Sequence, residues 1–446
     1  MATILINLSK YILIFFMLFY TLFGFLMMRV KDADKLKKRA VVQNVIMFVI
    51  FTICSVTCMY YKWSVNTLVF FLLEFVYLIL FIVLYRLIYP DCSIQIVNNM
   101  SMLMMLGFVM VERLAPSSAF KQFVIVLIGT VIGFFVPRFM RKRHTIVKMK
   151  YLFAVIGILM LGITLVLGKT TWGAQISVDI AGFSFQPSEF VKLIYVLFVA
   201  AMLWRARTFG RVVASAAIAA LHVLVLVASN DLGTALIFFV VYIVMLYVGT
   251  GKIRYLIAGL LTGCGAAVFA YKVFSHVRTR VYAWRDPWSI IDKGGYQITQ
   301  SLFAIGTGGL FGMGLYQGLP NTIPVAVKDF VFAAMSEEFG MIFAICVILI
   351  CFGSYMSMMR VATRSRDIFY KLVAVGFSTM YIFQCFLTIG GVTKFIPSTG
   401  VTLPFVSYGG SSILCSILMF AIVQAVFILV KENEGDEAES KEQKKA

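Results

Sequence analysis

Charge is scarce in this 446-residue chain. Asp, Glu, Lys and Arg together make up 13% of it, where a soluble domain carries about a quarter. That shortage excludes a water-soluble globular protein of this length. Acidic residues are scarcer still, 20 against 39 Lys and Arg, for a formal net charge of +19. An excess of that size suits nucleic acid or an anionic membrane leaflet, and where the charges sit decides between them. Histidine is nearly absent: His144, His222 and His276 share no ligand-like spacing, and His222 in an apolar run reads as a packed, hydrogen-bonded side chain. The eight cysteines are spread over the chain, nearly all inside apolar runs, with no close pair in a long hydrophilic loop. No disulfide framework or zinc site is readable from them, and no metal site follows from spacing.

What fills the chain instead is apolar: 61% of residues are hydrophobic and mean hydropathy is +0.95. Uncharged runs recur at about 11–28, 42–61, 66–88, 99–115, 122–137, 151–168, 189–204, 212–228, 232–250, 254–274, 331–356, 370–390 and 405–430. Each is close to the ~20 residues that cross about 30 Å of hydrocarbon. Backbone polar groups in lipid must be satisfied within the segment, so these runs are predicted to be helices and the fold an all-α polytopic membrane protein. The first run is no cleaved signal peptide, because its basic cluster follows the apolar stretch and no small-residue cleavage site is evident.

The cations lie in short loops. Six fall between Arg29 and Arg39, six between Arg138 and Lys150, three between Arg205 and Arg211 and four between Arg360 and Lys371. Blocks of this kind face the cytoplasmic leaflet, so membrane lipids are the partner of the charge and nucleic acid is not implied. Thirteen spans put every block on the cytoplasmic side, the N-terminus outside and the C-terminus inside. The stretch from Lys431 to Ala446 is rich in Glu, Asp and Lys and is predicted to be a disordered cytoplasmic tail.

Two stretches on the opposite face are long, Lys169 to Ser188 and Ser275 to about Asp329. The second holds most of the chemistry-capable side chains, and Tyr296 to Leu310 has the spacing of a helix lying in the interface. The glycines from Gly306 to Gly314 fail the dinucleotide spacing, since Phe311 stands where a glycine is required, and read as a tight turn of close backbone approach. Carboxylates near hydrocarbon need a partner or a task. Asp329 stands apart from Glu74, Glu112, Glu189, Asp231, Glu337 and Glu338, because it lies where the long loop re-enters the membrane.

Six segments, in order, then point to a family. They are Gln186 to Phe190 (QPSEF), Asp231 to Ala235 (DLGTA), Arg280 to Trp288 (RVYAWRDPW), Gly295 to Leu302 (GYQITQSL), Lys328 to Ala333 with Glu337 to Gly340 (KDFVFA and EEFG), and Pro397 to Ser412 (PSTGVTLPFVSYGGSS). Together they resemble the SEDS family, which includes FtsW, RodA and SpoVE, over roughly residues 99–430. The resemblance implies a ten-helix core over 96–430, with a large extracellular loop, 275–330, before its eighth helix. Residues 1–95 then form about three extra transmembrane helices, read as a packing or partner-binding appendage, and 431–446 the tail. The chain departs from the family pattern at Ser229-Asn230, at Gln175-Ile176, and between Pro324 and Lys328.

The resemblance implies a peptidoglycan glycosyltransferase that polymerises lipid II at the outer membrane face, with inversion and release of undecaprenyl diphosphate. Asp329 is then the base on the acceptor hydroxyl. Arg278 and Arg280 are the candidates for diphosphate contacts, with Gln297, Gln300 and Ser301 lining the groove and Lys328 counted among the substrate-binding residues. Asp231, Glu189, Glu337, Glu338, Ser407 and Tyr408 read as supporting residues. A divalent cation, Mg or Mn, near the diphosphate is compatible with the chemistry, and a class B penicillin-binding protein is the implied partner. The competing readings are a lipid II flippase, which would place charges along the midplane of several helices, and an inactive scaffold for another enzyme.

Overall fold

The computed structural model describes residues 2–443 apart from 31, 172, 173, 181, 182, 206 and 207. Helices dominate it. In order they are α1 (Ala2–Met27), α2 (Ala33–Tyr61), α3 (Val65–Ile88), α4 (Ile94–Leu114), α5 (Pro116–Met140), α6 (Arg143–Lys148), α7 (Lys150–Leu167), α8 (Pro187–Leu203), α9 (Phe209–Ala228), α10 (Leu232–Thr250), α11 (Ile253–Val273), α12 (Ser275–Arg285), α13 (Tyr296–Gly308), α14 (Val331–Arg364), α15 (Ile368–Val392) and α16 (Gly410–Gln443). Twelve of these are long and apolar enough to cross a membrane. The remaining apolar run is α8, whose 17 residues reach about 26 Å and are enclosed by α7, α10 and α15. All thirteen runs are therefore helical, and the protein is a multi-pass membrane protein. Val69, Leu72, Val76, Leu80 and Leu87 of α3 are exposed, the row such a helix turns to lipid.

The fold is all-α in class as expected, with one small addition and one correction. Beside the helices, β1 (Lys169–Thr171), β2 (Ala174–Ile180) and β3 (Phe183–Phe185) form a small antiparallel sheet in the order β1-β2-β3. Its pairs include Thr170 with Gln175 and Asp179 with Ser184. The sequence alternation of polar and apolar residues from Ala174 to Ile180 suits a strand. The tail read as disordered continues α16 to Gln443, because Glu, Lys, Ala and Gln are good helix formers. Arg141 and Arg364 also pair with Glu432 and Glu434 at 2.5 and 3.0 Å. Residues 444–446 lie outside the described residues.

The first three helices are fastened to the rest by side-chain amides. Tyr20 Oη donates to the Asn98 carbonyl (2.9 Å), Asn98 Nδ2 to Gln43 Oε1 (2.9 Å), Gln43 Nε2 to the Tyr20 carbonyl (3.3 Å) and Gln95 Nε2 to the Gly24 carbonyl (2.8 Å). In hydrocarbon such groups have no water to fall back on, so they hold helices together. The Lys10 end of α1 and the α2–α3 turn lie on the same face as the 275–330 loop: Lys10 Nζ donates to the Gly312 carbonyl at 3.0 Å, and Gln317 Nε2 hydrogen-bonds Tyr61 Oη.

The long loop is tied into α14 by a break in that helix. Gly340 has φ +87°, a conformation open to glycine and costly for other residues. Across the break the loop backbone runs alongside: Met313 N and Gly314 N donate to the carbonyls of Glu337 and Glu338 (2.9 and 2.8 Å), and Met341 N to the Gly309 carbonyl (2.9 Å). A Cβ on Gly312 would lie 2.4 Å from the Glu338 carbonyl oxygen, and one on Gly308 2.1 Å from that of Ser336. The glycine cluster is thus a place of close backbone approach, and its partner is a helix. Beyond it Ile323, Ala326 and Phe330 join Ala304, Phe332, Ala333, Ala344 and Val392 in a small apolar cluster separate from the main core.

Candidate functional site

Helix α12 leaves the membrane at Ser275 and lies across the loop face with mixed polar and aromatic residues. On a helix, positions i, i+3, i+4 and i+7 share a side. His276, Thr279, Arg280 and Ala283 do so, and all four line a cavity of about 450 Å³. Arg278, two residues from Arg280, points elsewhere: it is exposed and its Nη1 donates to the Lys272 carbonyl at 3.2 Å. Helical geometry therefore separates the two arginines that the sequence reading paired.

The remaining walls come from five parts of the chain. Ser177, Gln186 and Glu189 enter from the sheet and the start of α8, Asn230, Asp231 and Thr234 from the start of α10, Gly294, Gln297 and Ile298 from α13 and the turn before it, Val325, Lys328 and Asp329 from the end of the loop, and Ser398 to Thr402 from the segment before α16. Of the candidates, Asp329, Arg280, Gln297, Lys328, Asp231 and Glu189 share this cavity. Gln300 is absent from its lining, and Ser301 is fully buried, its Oγ donating to the Val392 carbonyl at 2.8 Å. Ser301 anchors α13 to α15; one helical turn before it, at position i−4, Gln297 reaches the space.

Asp329 and Arg280 converge. A Cβ placed on Gly400, where φ is +73°, would lie 3.5 Å from Asp329 Oδ2 and 3.7 Å from Arg280 Nη2. Glycine there leaves the acid and the guanidinium open to the same small volume. Burial pushes the Asp329 carboxyl above its usual value, and Lys328 and then Arg280 pull it back. Burial likewise lowers Arg280, with Asp329 and Asp231 opposing. Arg280 is held by a bond from Nη1 to the Ser398 carbonyl (3.3 Å), and Trp284 Nε1 donates to the Lys394 carbonyl (3.1 Å).

The segment bearing Asp329 is clamped by the one before α16. Ser407 Oγ donates to the Lys328 carbonyl at 2.5 Å and accepts from Leu403 N at 2.9 Å, while Tyr408 N donates to the Val327 carbonyl at 2.8 Å. This hold keeps Val325 at φ +58°, a strained conformation for a β-branched residue that costs about 1–3 kcal/mol. The strained turn falls within the Pro324 to Lys328 stretch where the sequence departs from the family pattern.

The supporting residues have structural partners. Asp231 caps α10, its Oδ1 accepting from Thr234 N (3.2 Å) and its Oδ2 from Ser188 Oγ (3.3 Å). Glu189 pairs with buried Lys192 at 2.7 Å, and Lys192 also donates to Gln384 Oε1 (3.0 Å). Glu338 pairs with Arg113 at 2.7 Å, both buried, and Glu337 Oε1 accepts from Leu319 N at 2.9 Å. Sequence reasoning missed His276 and Thr399, whose Nε2 and Oγ1 lie at the cavity with no hydrogen-bond partner among the described residues. The periodicity counted back from Arg280 points to the first; Thr399 had no signal beyond its place in the Pro397 to Ser412 block.

Residues 91–431 match the family described as cell cycle protein FtsW/RodA/SpoVE. The chain is 34% identical over 350 residues to a peptidoglycan glycosyltransferase RodA of Mycobacterium bovis, covering 72% of this chain and 75% of that protein. It is 34% identical over 263 residues to stage V sporulation protein E of Bacillus subtilis, covering 57% and 72%. Among solved structures it is similar to a chain from work on the structural coordination of polymerization and crosslinking by a peptidoglycan synthase complex. The TM-score there is 0.66 at 25% identity, over 75% of this chain and 97% of that one.

Proposed function

The chain belongs to the FtsW, RodA and SpoVE family, and from that premise we propose that it is a peptidoglycan glycosyltransferase whose reaction takes place in the cavity lined by Asp329 and Arg280. The substrate is lipid II and the face carrying the long loop is extracellular. The observation that carries this reading is the convergence of one half-buried carboxylate with one half-buried guanidinium beside Gly400, at the mouth of a multi-pass membrane protein.

The chemistry needs little more. A sugar hydroxyl of the acceptor attacks the anomeric carbon of the donor, its proton passes to the Asp329 carboxylate, and the bond to the diphosphate breaks with the electron pair left on oxygen. Arg280 and Lys328 meet that growing charge. Attack from the face opposite the leaving group inverts the anomeric centre, and undecaprenyl diphosphate departs. A diphosphate needs no second carboxyl to protonate it, so one base suffices, in contrast to glycosidases.

Among the described residues no three His, Cys, Asp or Glu come together as a metal-holding group. A Mg or Mn ion arriving with the diphosphate would be held chiefly by phosphate oxygens, and no step above runs through it. The test is glycan polymer formation from purified lipid II by the purified protein. Polymer from the wild type and none from Asp329→Asn supports the assignment; transport of lipid II without polymer would replace it with a flippase, and inertness in both assays with a scaffold.

A further inference from the structure

Residues 1–90 lie outside the family match, yet they grip the loop that leads to Asp329. We infer that Tyr61 and Lys10 are positioning residues for the proposed glycosyl transfer, holding residues 311–317 against α14 so that the far end of the same loop presents Asp329 to the cavity. This rests on the polymerase reading.

The grip has three points. Lys10 Nζ donates to the Gly312 carbonyl at 3.0 Å, at the break in α14 where a Cβ has no room. Beside it the rings of Tyr11 and Phe311 lie 5.5 Å apart. At the α2–α3 turn Tyr61 stacks on Tyr316, with ring centroids 5.2 Å apart and planes 15° from parallel, and its hydroxyl accepts from Gln317 Nε2.

Tyr316 is an unusual residue to hold. Its φ is +70°, in the left-handed region that side chains avoid. A conformation of that kind persists only where its surroundings enforce it. Here the enforcing contacts are the Tyr61 ring, Arg113 with its Cζ 4.2 Å from the Tyr316 centroid, and Glu338 Oε1, which accepts from Tyr316 N at 3.2 Å. Arg113 and Glu338 belong to α4 and α14 of the matched region. Tyr61, together with Lys62 whose Nζ lies 6.0 Å from the Tyr316 centroid, is the contribution of the appended helices, completing a contact set that the core holds from one side.

The loop then runs from Tyr316 through Leu319, tied by Glu337, to Ile323 and Ala326 in the small apolar cluster, and reaches Lys328, tied by Ser407. On this inference the attachments are set together, the grip at Tyr316 fixing where the run of residues 317–328 begins and so where the strained turn at Val325 and Asp329 end it.

Full-length protein with Tyr61→Ala should show kcat for polymer formation reduced about tenfold, the scale expected when a reacting group is misplaced by a fraction of an ångström. KM for lipid II should change less than about twofold, since the cavity walls are untouched. Tyr61→Phe, which keeps the ring, should restore the rate, and amide hydrogen exchange over 309–319 should speed up in Tyr61→Ala alone. Lys10→Met provides a second variant with the same signature should Tyr61→Ala not fold. Wild-type kcat in Tyr61→Ala, or a loss matched by Tyr61→Phe, overturns the inference. If the wild type makes no polymer, the polymerase reading fails separately; exchange over 309–319 then decides the grip, and unchanged protection removes it.

Discussion

Asp329 is asked to be ionised in a site that resists ionisation. Burial raises its pKa above the ordinary Asp value while Lys328 and Arg280 hold it down. A base acts only when deprotonated, so kcat/KM should fall as pH drops through that raised value, and the acid limb should lie above the range of an ordinary Asp. Arg280→Gln removes one of the lowering charges, so the residual activity should show its acid limb at higher pH; an unmoved limb would separate Arg280 from Asp329. Asp329→Asn should lower the rate by about 10² to 10⁴, with Lys328→Thr as an active control. The folded state binds the Asp329 proton more tightly than the unfolded chain does. This group therefore costs stability above its raised pKa and the cost disappears below the unfolded value. Asp329→Asn should accordingly raise Tm near neutral pH, which distinguishes lost chemistry from lost fold. At this scale the sequence was readable where a motif names one residue, as at Asp329. It was less readable where the choice depends on which side of a helix faces inward: α12 starts at Ser275 without a side-chain cap to mark it, so nothing frames the i, i+4 register that puts His276 and Thr279 with Arg280 and turns Arg278 away, and on α13 Ser301 faces α15 while Gln297 faces the cavity.

Among the elements, α14 and the loop beside it make the sharpest demand on sequence. Gly312 and Gly306 belong to one glycine cluster, yet substitution should have opposite signs. A Cβ on Gly312 meets backbone at 2.4 Å with φ at +76°, whereas one on Gly306 meets nothing within 4 Å inside α13. Gly312→Ala should destabilise by more than about 2 kcal/mol, and Gly306→Ala should be neutral or stabilise by roughly 0.5–1 kcal/mol; thermal unfolding in detergent reads both. Arg113→Ala leaves Glu338 buried and unpaired and should cost about 3–5 kcal/mol. The transmembrane helices themselves were legible because apolar run length answers to the thickness of the bilayer. The break at Gly340 was not, since nothing local distinguishes Glu337-Glu338-Phe339-Gly340 from an ordinary helical turn until the loop backbone of residues 309–314 lies alongside. The alternation in Ala174 to Ile180 is the sequence signal for the β1–β3 sheet.

For the whole molecule, the proposed polymerase would supply strands to a crosslinking partner, and a class B penicillin-binding protein should co-purify in mild detergent and raise the rate; full activity with no such protein in the pull-down would count against this. The opposite face is closed by charge. Arg141, Arg143, Arg364 and Lys431 pair with Glu432, Asp367, Glu434 and Asp91, so part of the basic excess is spoken for by the chain's own acids and part is left for anionic lipid. The thirteen-span reading and the structure agree that the Lys10 end of α1 shares a face with the long loop, while α16 ends among the basic clusters. That arrangement has a practical corollary for imaging. A fluorescent protein that matures only in the cytosol should glow when fused after Ala446 and stay dark when fused before Met1, whereas a reporter enzyme active only in an oxidising compartment should reverse the pattern.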